Sequence, residues 1–489
     1  MKKQFAMNPN QLVQYIQKMP GDFTTDDIVR FCINNDIEFI NFHYCGWDGK
    51  IKTLNFVINS QQHLEEILSA GERVDGSSLF PFIKAGKSDL YVMPILRTAF
   101  VNPFADIPTV DFMCEYLDRD GKPFESSPQY ILHKANEAFK ARTGLQMETM
   151  GELEYYIVGD EDELYTIPDQ KGYHASKPFC KYTDFRLEAM RLIAQCGGLI
   201  KYGHSEVGNF TQDGKNYEQN EIEFLPTNIE DAANHLIIAK WVMRQLAYEY
   251  GVELTFAPKI TTGKAGSGMH VHCKFSDVEG KENALLKSSG TETVSEAFKR
   301  AIAGFMLAGT SLPAWGNPHP LSFMRLVPHQ EAPTSLCWSF SNRSALVRVP
   351  LGWAHRPELS HKQTFEWRAS DGFADTYLLM AALCCAARHG FECEDALQVA
   401  DKTYVGLGVN IHDKSNESLL NSLEQLPASC AEAADELEKD RQIYTSCGVF
   451  SDDLVEYQEK FLKSFTPVTA ETMAEAVRES IEWCKPKDL

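Results

Sequence analysis

The sequence predicts an α+β fold in two parts, a small β-rich N-terminal domain (1–115) and a larger mixed domain (116–489), and three observations predict it. The chain has 489 residues, more than one domain on a prior of about 150 residues each. Short β-rich runs and turns fill the first 115 residues, whereas long periodic helices are interleaved with strands after them. The strands do not alternate strictly with helices, which argues against a doubly wound parallel sheet.

The elements follow in order. Ile37–Tyr44 and Lys52–Ile58 are β-rich runs around Cys-Gly-Trp-Asp-Gly-Lys, a hairpin pattern with Asp48-Gly49 in the turn. Asp75-Gly-Ser-Ser reads as a loop. The character changes near Asp118–Gly121, and Ser126 or Ser127 before Pro128 starts a helix that runs to about Arg142. Met147–Val158 alternates as a strand does. Thr183–Cys196 is helical and stops at Gly197-Gly198, and Asn228 caps a helix that ends near Tyr250. Phe298–Gly309 and Tyr377–His389 are apolar helices, and the chain from Ser415 onward is mostly helical.

Composition excludes several classes of function. The formal charge is −21, and affinity for phosphate backbones or anionic lipid rests on clustered Lys and Arg, so neither nucleic acid nor a membrane is an expected partner. Thirteen cysteines, an odd number without a CxxC pair, predict buried free thiols in a reducing compartment. The N-terminus lacks an apolar signal core. The longest apolar run, Tyr377–Ala387, is too short to span a bilayer. The cytoplasm is therefore the expected location.

Three motifs carry chemistry. Glu152 and Glu154 in Gly-Glu-Leu-Glu share one face of a strand, and adjacent carboxylates repel unless a cation or proton lies between them. Glu206 and Glu221 form a second acidic group, with Glu223 on the face of Glu221. Gly263–His272 holds three glycines within Gly263–Gly268 and two alternating histidines, His270 and His272. Taken singly, each reads as a solvated strand face or an ordinary histidine. Arg325, Arg343, Arg348 and Arg368 lie among Val, Leu, Trp and Phe, and a buried guanidinium needs an anion. Glu366 shares a strand face with Arg368. Glutamates with a histidine make a hard, oxygen-rich site suited to Mg²⁺ or Mn²⁺, and arginines beside it suit phosphoryl transfer. Gly86-Lys87-Ser88 lacks the upstream glycine of a P-loop, and no GxSxG elbow occurs.

In order along the chain, Asp75-Gly-Ser-Ser, Gly151-Glu-Leu-Glu, Gln219-Asn-Glu-Ile, Gly266-Ser-Gly-Met-His-Val-His, Asn317-Pro, Arg325-Leu-Val-Pro, Glu331-Ala-Pro, Asn342-Arg-Ser-Ala and Glu366-Trp-Arg resemble the glutamine synthetase family, its bacterial type I members most of all. The resemblance implies a small N-terminal β-grasp domain and a large C-terminal catalytic domain, a curved antiparallel sheet with helices. It implies a homo-oligomer, a dodecamer of two stacked hexameric rings, with each active site between the N-terminal domain of one subunit and the catalytic domain of the next. Carried over, Glu154, Glu206 and Glu221 hold one divalent metal, Mg²⁺ or Mn²⁺, and Glu152, His270 and Glu366 a second. His272, Arg343 and Arg348 contact ATP. Arg325, Arg368, Glu154 and the backbone at Gly266 hold glutamate, Tyr173 faces the amine, and Glu331 sits on a closing flap. Glu331, Arg343 and Arg368 are the implied catalytic residues. The implied reaction makes γ-glutamyl phosphate and then γ-glutamyl amide.

Four positions depart from the resemblance. Gly46 stands where the family has an aspartate that binds ammonium, with Asp48 two residues away. Ala265 replaces an asparagine before Gly266. Extra residues within Gly208–Tyr217 predict a longer loop near the amine entrance. His412 stands where some members carry an adenylylated tyrosine, so no such regulation is expected. The departures cluster at the amine end. Two acceptors therefore stay open: ammonia, giving glutamine, or an organic amine such as a polyamine or ethanolamine. A non-catalytic scaffold and a phosphotransferase for another acid are the remaining readings.

Overall fold

The computed structural model describes residues 3–83, 88–277, 294–327, 332–352, 356–411, 413–480 and 483–484. Two compact units result: Met1–Tyr130 with Asp184–Lys201 and Asn234–Tyr250, and Ile131–Thr183 with Tyr202–Ala233 and Gly251–Leu489.

The first unit is built on β1 (Phe39–Cys45), β2 (Ile51–Val57), β3 (Glu72–Asp75), β4 (Asp89–Pro94), β5 (Phe100–Val101) and β6 (Thr109–Leu117). Their order is β2-β1-β6-β4-β3, with β5 on β6. Only the β1–β6 pairing is parallel. Ile40 and Phe42 on β1 and Val110 and Phe112 on β6 enter the core, where Phe31 and Leu64 from flanking helices meet them. The β1–β2 turn is the expected one, and Gly49 supplies its positive φ of 67°. Asp48 folds back over Gly46: a Cβ at position 46 would lie 3.1 Å from Asp48 Oδ1 and 2.9 Å from Lys52 Cε. Asp48 Oδ2 in turn lies 2.6 Å from Lys52 Nζ.

The second unit holds the larger sheet: β7 (Leu145–Asp160), β8 (Ile200–Gln212), β9 (Lys215–Phe224), β10 (Thr227–Asn228), β11 (Glu253–Thr255), β12 (Met269–Asp277), β13 (Trp338–Phe340), β14 (Val347–Val349), β15 (Phe365–Trp367) and β16 (Trp483–Cys484). Its path is β13-β14-β15-β12-β7-β11-β16, while β9 and β10 also pair with β7 and β8 extends from β9. The β13–β14 pair is parallel, and β7, β9, β12 and β15 pair antiparallel. The long β7 separates two chemistries by its period of two. Met147, Thr149, Leu153, Tyr155 and Ile157 are buried on one face, and Thr149 reaches Met380 of the helix Thr376–Glu392. The opposite face carries Glu152 and Glu154.

The segment expected as a longer loop, 208–217, is instead a hairpin. Strands β8 and β9 run to a two-residue turn at Asp213-Gly214, both with positive φ, 52° and 74°. An Asp-Gly pair between alternating residues favours this tight turn over an open loop. Helices otherwise fall close to where periodicity places them, at Pro128–Thr143, Thr183–Gln195, Ile229–Tyr250, Glu296–Leu307 and Thr376–Glu392. Among the described residues no helix is long and apolar enough to cross a membrane, and twelve cysteines are free thiols, ten of them buried. His412, Glu331 and Lys87 lie outside the described residues.

The helices Glu296–Leu307 and Thr376–Glu392 approach backbone to backbone. A Cβ at Gly304 would meet the Ala386 carbonyl oxygen at 1.9 Å, and one at Gly390 the Arg300 carbonyl oxygen at 1.9 Å. A backbone oxygen cannot swing aside as a side chain can. Gly304→Ala is therefore expected to destabilise by about 1–3 kcal/mol. The midpoint of thermal denaturation reads the loss, against Gly21→Ala as control, where nothing lies within 4 Å.

Candidate active site

Five adjacent strands place their polar side chains in rows across the larger sheet. Glu152 on β7 is directly opposite Glu223 on β9 and opposite His270 on β12. Glu154 is directly opposite Glu221. His272 is opposite Glu366 on β15, which is opposite Arg348 on β14. The alternation of each strand thus converts short sequence motifs into one surface of carboxylates, imidazoles and guanidiniums.

The two ends of that surface differ in charge balance. At the β12–β15 end, His272 Nε2 lies 2.7 Å and His270 Nδ1 3.1 Å from Glu152. His270 is also 3.3 Å from Glu366, whose two oxygens accept from Arg368 Nε at 2.9 Å and Arg348 Nη1 at 2.8 Å. Burial by itself pushes the Glu152 carboxyl up, but His272 and His270 together hold it well below its ordinary range. Glu366 is likewise lowered: burial and Glu152 raise it, and Arg368 and the two histidines prevail. Glu152, His272 and Glu366 bring ligand atoms close enough to share one metal ion.

At the β9 end the balance is reversed. Burial and then Glu152, Glu154, Glu206 and Glu223 push the Glu221 carboxyl well above its usual range. His204 on β8 lies 3.7 Å from Glu206 and 3.6 Å from Glu221. His204, Glu221 and Glu223 form a second group with metal-ligand spacing. Glutamates directly opposite one another on antiparallel strands destabilise the sheet through repulsion, and a divalent cation with oxygen ligands relieves that cost. The donor set therefore fits Mg²⁺ or Mn²⁺.

The segment Lys259–Gly268 closes one side. Gly268 N donates to Glu154 Oε2 at 2.6 Å, and Gln219 Nε2 donates to the Gly266 carbonyl at 2.8 Å. At the departure position, Ala265 N donates to Gln170 Oε1 at 2.7 Å and its carbonyl accepts from Tyr156 at 2.9 Å. Gly266 must be glycine, since a Cβ there would meet the Pro258 carbonyl at 2.5 Å and Arg325 Cγ at 2.9 Å. Arg325 is buried and donates to the Ala369 and Arg368 carbonyls. Lys259 is buried too, and burial followed by the Arg325 charge lowers its ammonium to about 8.

Glu152, Glu154, Glu206, Glu221, His270, His272, Arg325, Arg348, Glu366 and Arg368 thus come together around this one sheet face, and Gly266 borders it. His272, expected at the nucleotide, is buried with Nδ1 on Thr364 and Nε2 on Glu152, which places it among the metal-capable carboxylates. Arg343 is exposed at the rim, with its carbonyl accepting from Arg368. Tyr173 is also at the rim. Sequence reasoning did not single out Tyr202, His174, His204 or Lys259. The alternation Tyr202–His204–Glu206, one strand face, was the available signal for two of them.

Comparison with known proteins agrees with this arrangement. The family described as glutamine synthetase, catalytic domain matches residues 125–466, and that described as glutamine synthetase, beta-grasp domain matches residues 36–119. The glutamine synthetase of Thermotoga maritima is 30% identical over 456 residues, 91% of this chain and 97% of its own. That of Mycolicibacterium smegmatis is 27% identical over 471 residues, 88% and 93% of the two chains. In fold, the Plasmodium falciparum glutamine synthetase superposes with a TM-score of 0.76 at 19% identity, covering 90% of this chain and 95% of that one. A ligand-free GmaS structure superposes with a TM-score of 0.73 at 18% identity, covering 89% and 94%. The small mixed sheet, the larger sheet with its carboxylate face and these matches make the chain a ligase that belongs to the glutamine synthetase family.

Proposed function

We propose that this ligase uses ATP to activate the γ-carboxylate of L-glutamate as γ-glutamyl phosphate and then passes the acyl group to an amine. The observation that carries the reading is the pairing of Glu154 with Glu221 and of Glu152 with Glu223 across β7 and β9, a concentration of charge that needs cations. Glutamine synthetases use ATP, divalent metal and small-molecule substrates and typically form oligomers. Glu154, Glu206 and Glu221 are proposed to hold one Mg²⁺ or Mn²⁺, and Glu152, His270 and Glu366 a second. When bound, such ions supply charge that offsets the phosphates and polarises the transferring phosphoryl group.

The chain's own groups do the rest. Arg343 and Arg348, with His272 behind Glu366, are proposed for the nucleotide side. Arg325, Arg368, Glu154 and the backbone at Gly266 are proposed for glutamate. A glutamate carboxylate oxygen attacks the γ-phosphorus, ADP leaves, and Arg343 and Arg368 offset the charge that develops. Glu331 is proposed as a further catalytic residue, and the acyl phosphate must be kept from water. With ammonia as acceptor the product is glutamine, and Asp48, folded over Gly46, is proposed to replace the missing aspartate. A second reading takes an organic amine, and the ion pair of Asp48 with Lys52 favours it, because that carboxylate already has a cation.

Three outcomes test the proposal. Phosphate release from ATP should require glutamate and an amine, and Glu154→Ala should reduce it by about a hundredfold or more. Retention of near-normal turnover refutes the assignment of Glu154. Mn²⁺ should raise the denaturation midpoint of the metal-stripped protein, since a ligand of the native state stabilises it. Glu221→Gln should remove most of that rise while leaving the metal-free midpoint equal or higher, which calorimetry measures. Light scattering should give a particle of about twelve times the 55.1 kDa chain mass, a dodecamer of closed symmetry. A stable monomer refutes that assembly.

A further inference from the structure

Beside the repelling carboxylates lie four rings that the roles above leave unused except for Tyr173. Tyr173 stacks on His174 with centroids 4.1 Å apart and meets His204 edge to face at 5.6 Å. His174 and His204 are 4.4 Å apart, and Tyr202 lies 5.9 Å from His204. Tyr173 is 49% and Tyr202 43% exposed, so both tyrosines keep ring surface open. Tyr202 donates its hydroxyl to Glu223.

The cluster is held in place. Gly172 N donates to the Val207 carbonyl at 3.2 Å, and His174 N to the Ser205 carbonyl at 3.0 Å. Ser205 Oγ donates back to the Gly172 carbonyl at 2.8 Å. A Cβ at position 172 would come 2.6 Å from the Glu206 carbonyl oxygen, so the loop lies directly on β8. His174 occupies the left-handed region with φ 55°, a backbone cost for a non-glycine residue that cross-bonding sustains. The phenol of Tyr173 is raised by burial, and the charges that act on it are Arg343 against Glu206, Glu221 and Glu223.

We infer that Tyr173, His174, Tyr202 and His204 form the acceptor subsite of this ligase, and that the subsite takes an organic primary ammonium. The inference rests on the amine-ligase reading and selects its second acceptor. Glu223, held by the Tyr202 hydroxyl and left unclaimed by the metal assignments, takes the ammonium head, and the carbon chain lies against the rings. Bare ammonium gains nothing from ring area, whereas an alkylammonium gains both apolar contact and cation–π attraction. The step balances. The ammonium loses one proton to solvent, and its nitrogen attacks the acyl carbon of γ-glutamyl phosphate. As the C–N bond forms and the C–O bond to phosphorus breaks, phosphate leaves with the electron pair and the second proton. The products are an N-alkyl γ-glutamyl amide and hydrogen phosphate.

The test is steady-state phosphate release with saturating ATP, Mn²⁺ and glutamate, over ammonium, methyl-, ethyl- and propylammonium. The amine KM is expected to fall about fourfold per added methylene. Ammonium turning over as well as or better than every alkylammonium overturns the inference and leaves the ligase reading standing. Silence with every acceptor overturns the reading and the inference with it. Tyr202→Phe keeps the ring and should keep the chain-length trend, whereas Tyr202→Ala and His174→Ala should flatten it and raise the propylammonium KM at least tenfold. The KM values for ATP and glutamate serve as internal standards. A rise confined to the amine supports the subsite, and equal rises in all three overturn it.

Discussion

Like charge aligned across two strands is the constraint on which the site depends. Glu154 opposite Glu221 and Glu152 opposite Glu223 put four carboxylates on adjoining positions of β7 and β9. Such pairs weaken a sheet, and burial of Glu152, Glu221 and Glu223 increases the cost. The sheet bears that cost because its other face is well anchored. Leu153, Tyr155 and Ile157, between and beyond the acidic positions, are fully buried, and β7 is paired on both edges. The same period of two that buries the odd positions forces the acidic ones together. The fold therefore stores electrostatic repulsion at the point where cations are useful.

How the charge is offset differs along the row. On the β12–β15 side, two imidazoles and two guanidiniums already surround Glu152 and Glu366, and these carboxyls are held down. On the β9 side Glu221 is pushed up. Positive charge is thus supplied by the protein on one side and is scarce on the other, where carboxylates with metal-ligand spacing gather around Glu221. The other end is closer to neutral, because Arg348 and Arg368 both bond Glu366.

Much of this was legible in the sequence, for a physical reason. Glu152–Glu154, Glu221–Glu223, His270–His272 and Glu366–Arg368 are i, i+2 pairs, and strand geometry alone puts each pair on one face. Register between strands is not written locally, so no spacing shows that Glu154 meets Glu221 or that His272 meets Glu366. His272 illustrates the limit: its resemblance to a nucleotide contact was readable, but its bonds to Thr364 and Glu152 come from β12 pairing with β7 and β15. The hairpin at 208–217 was legible and was missed. Treating those residues as an insertion hid their own strand–turn–strand pattern around Asp213-Gly214. The ring cluster was not legible, because Tyr173 and His174 reach Tyr202 and His204 only through a loop laid on β8.

The division of charge also gives the site a direction. Arg348 on β14 and Arg368 just after β15 lie at one side, Glu206, Glu221 and Glu223 lie on β8 and β9, and β7 and β12 run between, with Arg325 reaching His270 of β12. The row thus carries guanidiniums toward one end and carboxylates toward the other, which attract opposite charges, with β7 and β12 in the middle. Gly266 and Glu154 are in that middle, joined through Gln219 and Gly268.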